Sequence, residues 1–374
     1  MTEPQPEFAP PARFVADWPY LTGDIPGIDG TLKQRPEDFI VEEIPLYPFS
    51  GEGEHLLLWI EKRDVAAEQL TRHLARVLSV SPRDIGVAGL KDRRAVTRQW
   101  ISVPAKCEAQ LDEIATENIS LLDSTRHRNK LRSGHLKGNR FNIVVRDAHA
   151  DALSSAIAFC ESARRLGIPN YYGEQRMGHD QQTLKTGFSL LRGELQPRDL
   201  PPSRRAFLLR MSLSAVQSQL FNEVLADRLR DGLIHTVIPG DVMQVTESGG
   251  LFVAGIDRQE SDADTVPSTP DIVTEQQRYD RREIVPTGPI FGPKMKHPSG
   301  QPAEQEQRVL ERYGLERDHF LLYDRLTSGT RRPLLVFPEE MHAEATDGGV
   351  RIRFDLPSGS YATVVLRELM KGIE

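Results

Sequence analysis

Apolar runs and alternations begin at residue 39. Phe39-Ile40-Val41 reads as a short strand opened by the turn Pro36-Glu37-Asp38. His55-Leu56-Leu57-Leu58-Trp59-Ile60-Glu61-Lys62 has the near-continuous apolar run of a buried strand. Leu70, Leu74, Val77 and Leu78 recur at i, i+4, i+7 and i+8. That spacing predicts a helix with one buried face, capped by Asp64 and ended by Ser81-Pro82. A charged stretch, residues 89–99, then runs into the strand-like Trp100-Ile101-Ser102-Val103. Residues 141–145 read as a strand and residues 150–166 as an amphipathic helix.

The second half is less regular. Residues 167–178 are aromatic and polar with three glycines, which predicts a loop with a job or the start of a new domain. Residues 211–230 form a strong helix. Val216, Leu220 and Val224 make one row and Phe221, Leu225 and Leu229 the next, with Gly232 as the C′ residue. Gln217, Ser218 and Asn222 interrupt it with polar side chains. Residues 257–283 are rich in Asp, Glu, Ser, Thr and Pro and predict a mobile excursion. Thr287-Gly288-Pro289-Ile290-Phe291-Gly292-Pro293 reads as turns. Residues 302–312 and 364–370 read as helices, with strands at 329–336 and 350–356. Strands followed by helices in this mixture predict an α+β architecture.

Composition narrows the class. A chain of 374 residues makes two domains the simplest expectation. No run of about 18 apolar residues suggests a membrane span. Residues 1–13 hold four prolines and two glutamates, with none of the order of a secretory signal, and residues 1–28 read as a disordered lead-in. Cys107 and Cys160 form no CxxC, which fits the cytoplasm better than a disulfide scaffold. Two cysteines and scattered histidines predict no metal site. No glycine-rich phosphate loop follows a strand, so no nucleotide cofactor is expected. A net charge of −7 argues mildly against nucleic acid, but binding needs only a local basic patch.

Two stretches carry candidate chemistry. In Gly89-Leu90-Lys91-Asp92-Arg93-Arg94-Ala95-Val96-Thr97-Arg98-Gln99, one acid sits among four cations. Nearby positive charge favours a charged carboxylate, which suits a nucleophile or base. A solvated turn fits the same pattern. Farther on, Arg126, Arg128, Lys130, Arg132, Lys137, Arg140 and Arg146 follow one another with no intervening acid. Seven cations around Gly134 and Gly138 suit a phosphate backbone, and Phe141 beside them suits base stacking. A solvated basic loop with Phe141 in the core fits equally.

Taken in order, seven segments resemble the TruD family of tRNA pseudouridine synthases. They are Lys33 with Pro36-Glu37-Asp38-Phe39; Gly89-Leu90-Lys91-Asp92 with Ala95, Thr97 and Gln99; and Lys137-Gly138-Asn139-Arg140-Phe141. Then come Pro169-Asn170-Tyr171-Tyr172-Gly173 with Gln175-Arg176; Ser214-Ala215 with Gln217-Ser218 and Phe221-Asn222; Thr287-Gly288-Pro289; and Gly359-Ser360-Tyr361-Ala362-Thr363. Each is weak alone; seven in one order are specific. Met177 departs from the family's usual phenylalanine.

The resemblance implies a pseudouridine synthase catalytic domain, a mixed and largely antiparallel sheet with flanking helices, formed by residues 29–164 and 326–374. It implies an inserted α/β TRUD domain at residues 165–325. The implied activity converts uridine 13 in the D arm of tRNA to pseudouridine, without a cofactor, on a flipped-out nucleotide. Asp92 matches the catalytic aspartate, which either attacks C1′ of the ribose or removes the 2′ proton. Lys33 matches a basic residue beside it. Phe39, Asn139 and Tyr361 match contacts to the nucleotide, with Phe141 as a stacking neighbour. Arg126, Arg128, Lys130, Arg132, Lys137 and Arg140 become the expected RNA-binding cations. Some of Lys91, Arg93, Arg94 and Arg98 become further candidates for phosphate. A monomer is expected.

Overall fold

A computed structural model describes residues 18–89, 91–178, 181–255 and 272–371, with the side chains of Glu174 and Gln175 left aside. The chain opens with β1 (Phe39–Pro45), β2 (His55–Arg63), α1 (Ala67–Val77), β3 (Gly86–Val87), β4 (Val96–Pro104), β5 (Ile119–His127), β6 (Leu136–Arg146) and α2 (Ala152–Leu166). Next come β7 (Ile168–Pro169), α3 (Gln182–Leu191), α4 (Arg205–Arg230), β8 (Val242–Val245), β9 (Leu251–Val253), α5 (Ile272–Asp280), β10 (Ile284–Ile290), α6 (Gly300–Arg312) and β11 (Thr330–Pro333). It closes with β12 (Leu335–Val336), β13 (Glu339–Thr346), β14 (Gly349–Pro357) and α7 (Ala362–Met370). The fold is α+β, and the chain divides into two compact units, one of residues 22–168 with 336–374 and one of residues 1–21 with 169–335.

The first unit is built on one sheet in the order β13-β14-β6-β1-β4-β2-β5, with β3 added to β4. Only β1 and β4 run parallel; the other neighbours are antiparallel. Leu56, Leu58 and Ile60 of β2 and Ile101 and Val103 of β4 pack under Leu70, Leu74 and Leu78, so α1 closes one end of the sheet. α2 covers the other end, burying Ala156, Phe159 and Ala163. Gly138 lies inside β6 because β14 passes too close for a side chain: an added Cβ would meet the Leu356 carbonyl.

The second unit holds a four-stranded sheet in the order β11-β10-β8-β9, with α3, α4, α5 and α6. The polar residues that break the apolar face of α4 are clasps. Asn222 exchanges hydrogen bonds with the main chain of Tyr172 (2.8 and 2.9 Å), and Ser214 and Ser218 accept from Arg176. They fix the irregular segment at 169–177 on the helix.

Several expectations need correction. Ala66, not Asp64, is the N-cap of α1, because Asp64 takes a left-handed turn (φ 50°) and donates its N–H to the Ala95 carbonyl. α4 starts at Arg205, six residues earlier than its apolar rows suggested. The segment at 287–290 belongs to strand β10, not to turns. β10 pairs with β8 through Pro286 and with β11 from Thr287, and the Pro286 carbonyl also accepts the Leu334 amide at 2.9 Å. β11 belongs to the second unit's sheet, so the chain returns to the first unit at 335/336 rather than at 326. The lead-in ends earlier than expected: Trp18 is buried and stacks on Tyr171 in the second unit, and Ile28 is buried in the first. Residues 1–17 lie outside the described part. So do residues 257–271 of the expected excursion, whereas 272–280 form α5 with Glu275 and Tyr279 buried.

Candidate active site

Register sets the inner face of the first unit's sheet. Val41 lies opposite Phe141 on one side and Thr97 on the other, and Thr97 lies opposite Lys62. Because strand side chains alternate, Phe141, Val41, Thr97 and Lys62 form one row. In the next row Glu43 faces Asn139, and Gln99 faces Ile60. The connection from β3 to β4 carries Asp92 past this face.

Asp92 presents its carboxylate outward, with its side chain 66% exposed, and Lys33 Nζ lies 3.1 Å from Oδ2. Lys33 takes a left-handed backbone (φ 56°) that returns its side chain over the Phe39 ring, 4.1 Å from the centroid. The turn beneath is locked by Asp38, whose buried carboxylate accepts Arg146 Nε and Nη2 and the Arg35 amide. The Arg146 hydrogen bonds hold Asp38 below the usual carboxylate range, against the opposing effect of burial.

Two buried lysines fasten the Asp92 loop from the inside. Lys62 is fully buried, and its Nζ donates to the carbonyls of Val65 and Asp92, both at 2.8 Å. Loss of hydration lowers its pKa to about 8; the negative charge of Asp92 opposes that fall and Lys91 adds to it. Lys91 Nζ lies 2.6 Å from Glu43 Oε1, and Glu43 Oε2 accepts the Trp100 amide at 3.0 Å. Burial raises the pKa of Glu43, with Lys91 pulling the other way. The result is an exposed carboxylate on a braced loop, with one cation beside it, a geometry suited to attack on carbon or removal of a proton.

The other expected residues divide. Phe39 (4% exposed) and Phe141 (6%) are core residues in edge contact with each other, and Phe141 stacks on Phe354 at 5.2 Å. A face that was expected for a base is therefore taken by Phe354. Asn139 is half-buried, and its Oδ1 has no hydrogen-bond partner among the described residues, Asp92 included. Tyr361 is 39% exposed at the N-cap of α7.

Most of the basic run is already neutralised. Arg126 pairs with Glu108, Arg128 with Glu52 and Arg146 with Asp38; Lys130 donates to the Arg83 carbonyl. Arg140 forms a two-pronged pair with Asp355 at 2.9 and 2.8 Å. Arg132 and Lys137 are exposed and have no partner among the described residues. Near Asp92, Lys91 is buried against Glu43 and so is not available to phosphate. Arg98 lies on the opposite face of the sheet with Glu42 and Glu61, and Arg93 pairs loosely with Asp64 at 3.4 Å. Arg94 is exposed and unpaired among the described residues.

Lys62 and Glu43 were not anticipated as site residues. The signal for both was present: strand alternation puts Glu43 on the face of Phe39 and Val41, and Lys62 on the face of Leu58 and Ile60. A charge on an apolar face needs a partner.

The sequence profile of the family described as tRNA pseudouridine synthase D (TruD) matches residues 16–197 and 203–369. A tRNA pseudouridine synthase D of Anaeromyxobacter sp. (strain Fw109-5) is 40% identical over 360 residues, covering 96% of this chain and 97% of the relative. One from Thermus thermophilus is 39% identical over 355 residues, covering 95% and 92%. Among solved structures, a Methanosarcina mazei protein described as tRNA pseudouridine synthase D superposes with a TM-score of 0.73. It is 27% identical, and the match covers 94% of this chain and 96% of that one.

Proposed function

The chain belongs to the TruD family of tRNA pseudouridine synthases and isomerises uridine to pseudouridine in tRNA, and we propose that it does so at uridine 13 of the D arm with Asp92 as the reacting carboxylate. The observation that carries the role of Asp92 is its exposed carboxylate on a loop braced by Lys62 and by the Lys91–Glu43 pair. Lys33 offsets negative charge at 3.1 Å. The carboxylate either attacks C1′ as the C1′–N1 bond breaks, or takes the 2′ proton as that bond breaks to give a glycal. Uracil then turns and bonds C1′ through C5, releasing the carboxylate in the first route and regaining the 2′ proton in the second. The C5 proton is lost while N1 gains one, so the product is an isomer and no cofactor enters. A primary isotope effect with 2′-deuterated uridine selects the second route, and its absence the first.

Asn139 and Tyr361 are read as contacts to the flipped nucleotide, and Phe39 as the ring beside it, backed by Phe141. The Asn139 Oδ1, which has no partner among the described residues, supports this, since a ligand donor would satisfy it. Residues 22–168 with 336–374 serve as the catalytic domain and residues 169–335 as the inserted one. The reading extends to a cytoplasmic monomer, supported by two unpaired buried cysteines and by a sequence without an apolar association stripe.

The test is site-resolved pseudouridine mapping of tRNA from wild type and Asp92→Ala. The expected result is modification at uridine 13 by wild type alone. Equal modification by both removes Asp92 from the reaction. Binding by both with modification by neither favours a protein that binds RNA without catalysis.

A further inference from the structure

On the α1 side of the Asp92 loop, the first unit contains a cavity of about 340 Å³. Leu70 of α1 and Val87 of β3 give it apolar walls, Gly89 lies where it meets the Asp92 loop, and Glu68 and Arg72 stand exposed at its rim. An acid and a base at the rim cancel, which disfavours an anion such as phosphate. Gln99 of β4 reaches the cavity from the sheet. Its side chain is almost wholly buried (2% exposed), and its Oε1 has no hydrogen-bond partner among the described residues.

A buried carbonyl oxygen without a partner is unfavourable unless a ligand supplies a donor. An amide offers an acceptor and a donor side by side in one plane, the complement of a nucleobase edge. Apolar walls around one such group form the usual pattern of a small-molecule site, and the volume falls within its usual range. Apolar walls also suit the faces of an unstacked base.

We propose that this cavity takes a nucleobase of the RNA other than the uridine being isomerised, with the Gln99 amide pairing along its edge. The proposal rests on the tRNA isomerase reading. Gly89 precedes Asp92 by three residues, so the two sites are within about 11 Å along the chain, within reach of nearby nucleotides of one strand. Asp92 itself faces Lys33, which packs on Phe39, so the isomerised uridine and the base in the cavity occupy different places. Reading a flanking base adds sequence preference that phosphate contacts do not supply.

The experiment pairs Gln99→Leu, close in size but without the amide, with RNAs in which each nucleotide flanking the target is made abasic in turn. Single-turnover rates and thermal melts are measured. Gln99→Leu is expected to lose roughly tenfold or more in rate on intact RNA. One abasic position should slow wild type by the same factor and Gln99→Leu no further. Losses that multiply at every position, or full activity of Gln99→Leu on intact RNA, overturn the proposal. If the leucine variant fails to fold, Val87→Trp fills the cavity from β3, beside the Gln99 strand, and is held to the same outcomes. If wild type makes no pseudouridine in any RNA, the isomerase reading fails instead. Affinities of the same RNAs for wild type and Gln99→Leu then decide the cavity by the same non-additivity.

Discussion

Lys62 reaches the main-chain carbonyl of Asp92 at 2.8 Å from inside the sheet, while the Asp92 carboxylate points to solvent. The loop is therefore held by its backbone, and the carboxylate proposed to react is left free. Removing Lys62 with Lys62→Met leaves two carbonyls, of Val65 and Asp92, without their donor. Each lost bond of this kind costs about 1–3 kcal/mol, and a loosened nucleophile slows the chemical step more than it weakens binding. The expected result is a fall in kcat of tenfold or more by the order-of-magnitude measure of misplacement, with KM nearly unchanged. A normal kcat removes Lys62 from the positioning role.

The same lysine has a signature in pH. Its pKa falls from 10.5 unfolded to about 8 folded, so between these values the unfolded chain binds the extra proton. Stability rises with pH wherever the unfolded state holds more protons. The cost of burying charged Lys62 is thus fully present below pH 8 and is relieved toward pH 10.5, by about 3 kcal/mol at most. Urea unfolding of wild type and Lys62→Met from pH 7 to 10 isolates it, because the remaining lysines cancel in the difference. The difference should shift in favour of wild type as pH rises. A constant difference contradicts the depressed pKa.

Glu43 and Lys91 make a pair whose removal separates bracing from stability. Glu43→Gln strands a buried cation and is expected to destabilise by about 3–5 kcal/mol. Glu43→Leu with Lys91→Met removes both charges and should recover most of that loss in urea unfolding. Activity should stay low in the double variant, since the Asp92 loop has lost its second anchor. A stable and fully active double variant shows that the pair does not brace the loop.

Legibility followed sequence distance. Asp92 and its neighbourhood were readable because residues 89–99 form one motif. The layer order was readable because β2 and α1 announce themselves by run and period. The basic stretch misled because its neutralising acids, Glu52, Glu108 and Asp355, lie 76, 18 and 215 residues from their partners. Lys62 was hidden by the apolar run around it. Gln99 was read as part of the Asp92 motif, but nothing in the sequence shows that its Oε1 is buried without a partner among the described residues. Ser214, Ser218 and Asn222 of α4 carried the family resemblance yet serve as clasps for residues 169–177, a role that requires the fold to be seen.

Asp38 predicts the acid limb of stability. Arg146 holds its carboxylate below the usual range, so its contribution is present above the unfolded value of 3.8 and is lost as pH falls through the lower folded value. Asp38→Asn should flatten that limb in unfolding curves below pH 5. It should also free the Lys33 turn and lower activity at neutral pH. An unchanged acid limb contradicts the linkage.

Arg132 and Lys137 test where RNA is met electrostatically. The other cations of the run already hold an acid or a carbonyl, and exchanging those partners for phosphate brings little net gain. Among the described residues Arg132 and Lys137 have no side-chain partner to give up, and each phosphate they neutralise releases counterions. Arg132→Glu with Lys137→Glu should weaken tRNA binding and reduce the slope of log affinity against log salt by about 1.5–2, as expected for two lost phosphate contacts. Arg126→Gln with Arg128→Gln should change that slope much less. An unchanged slope in the first variant, or an equal drop in the second, places the RNA backbone elsewhere.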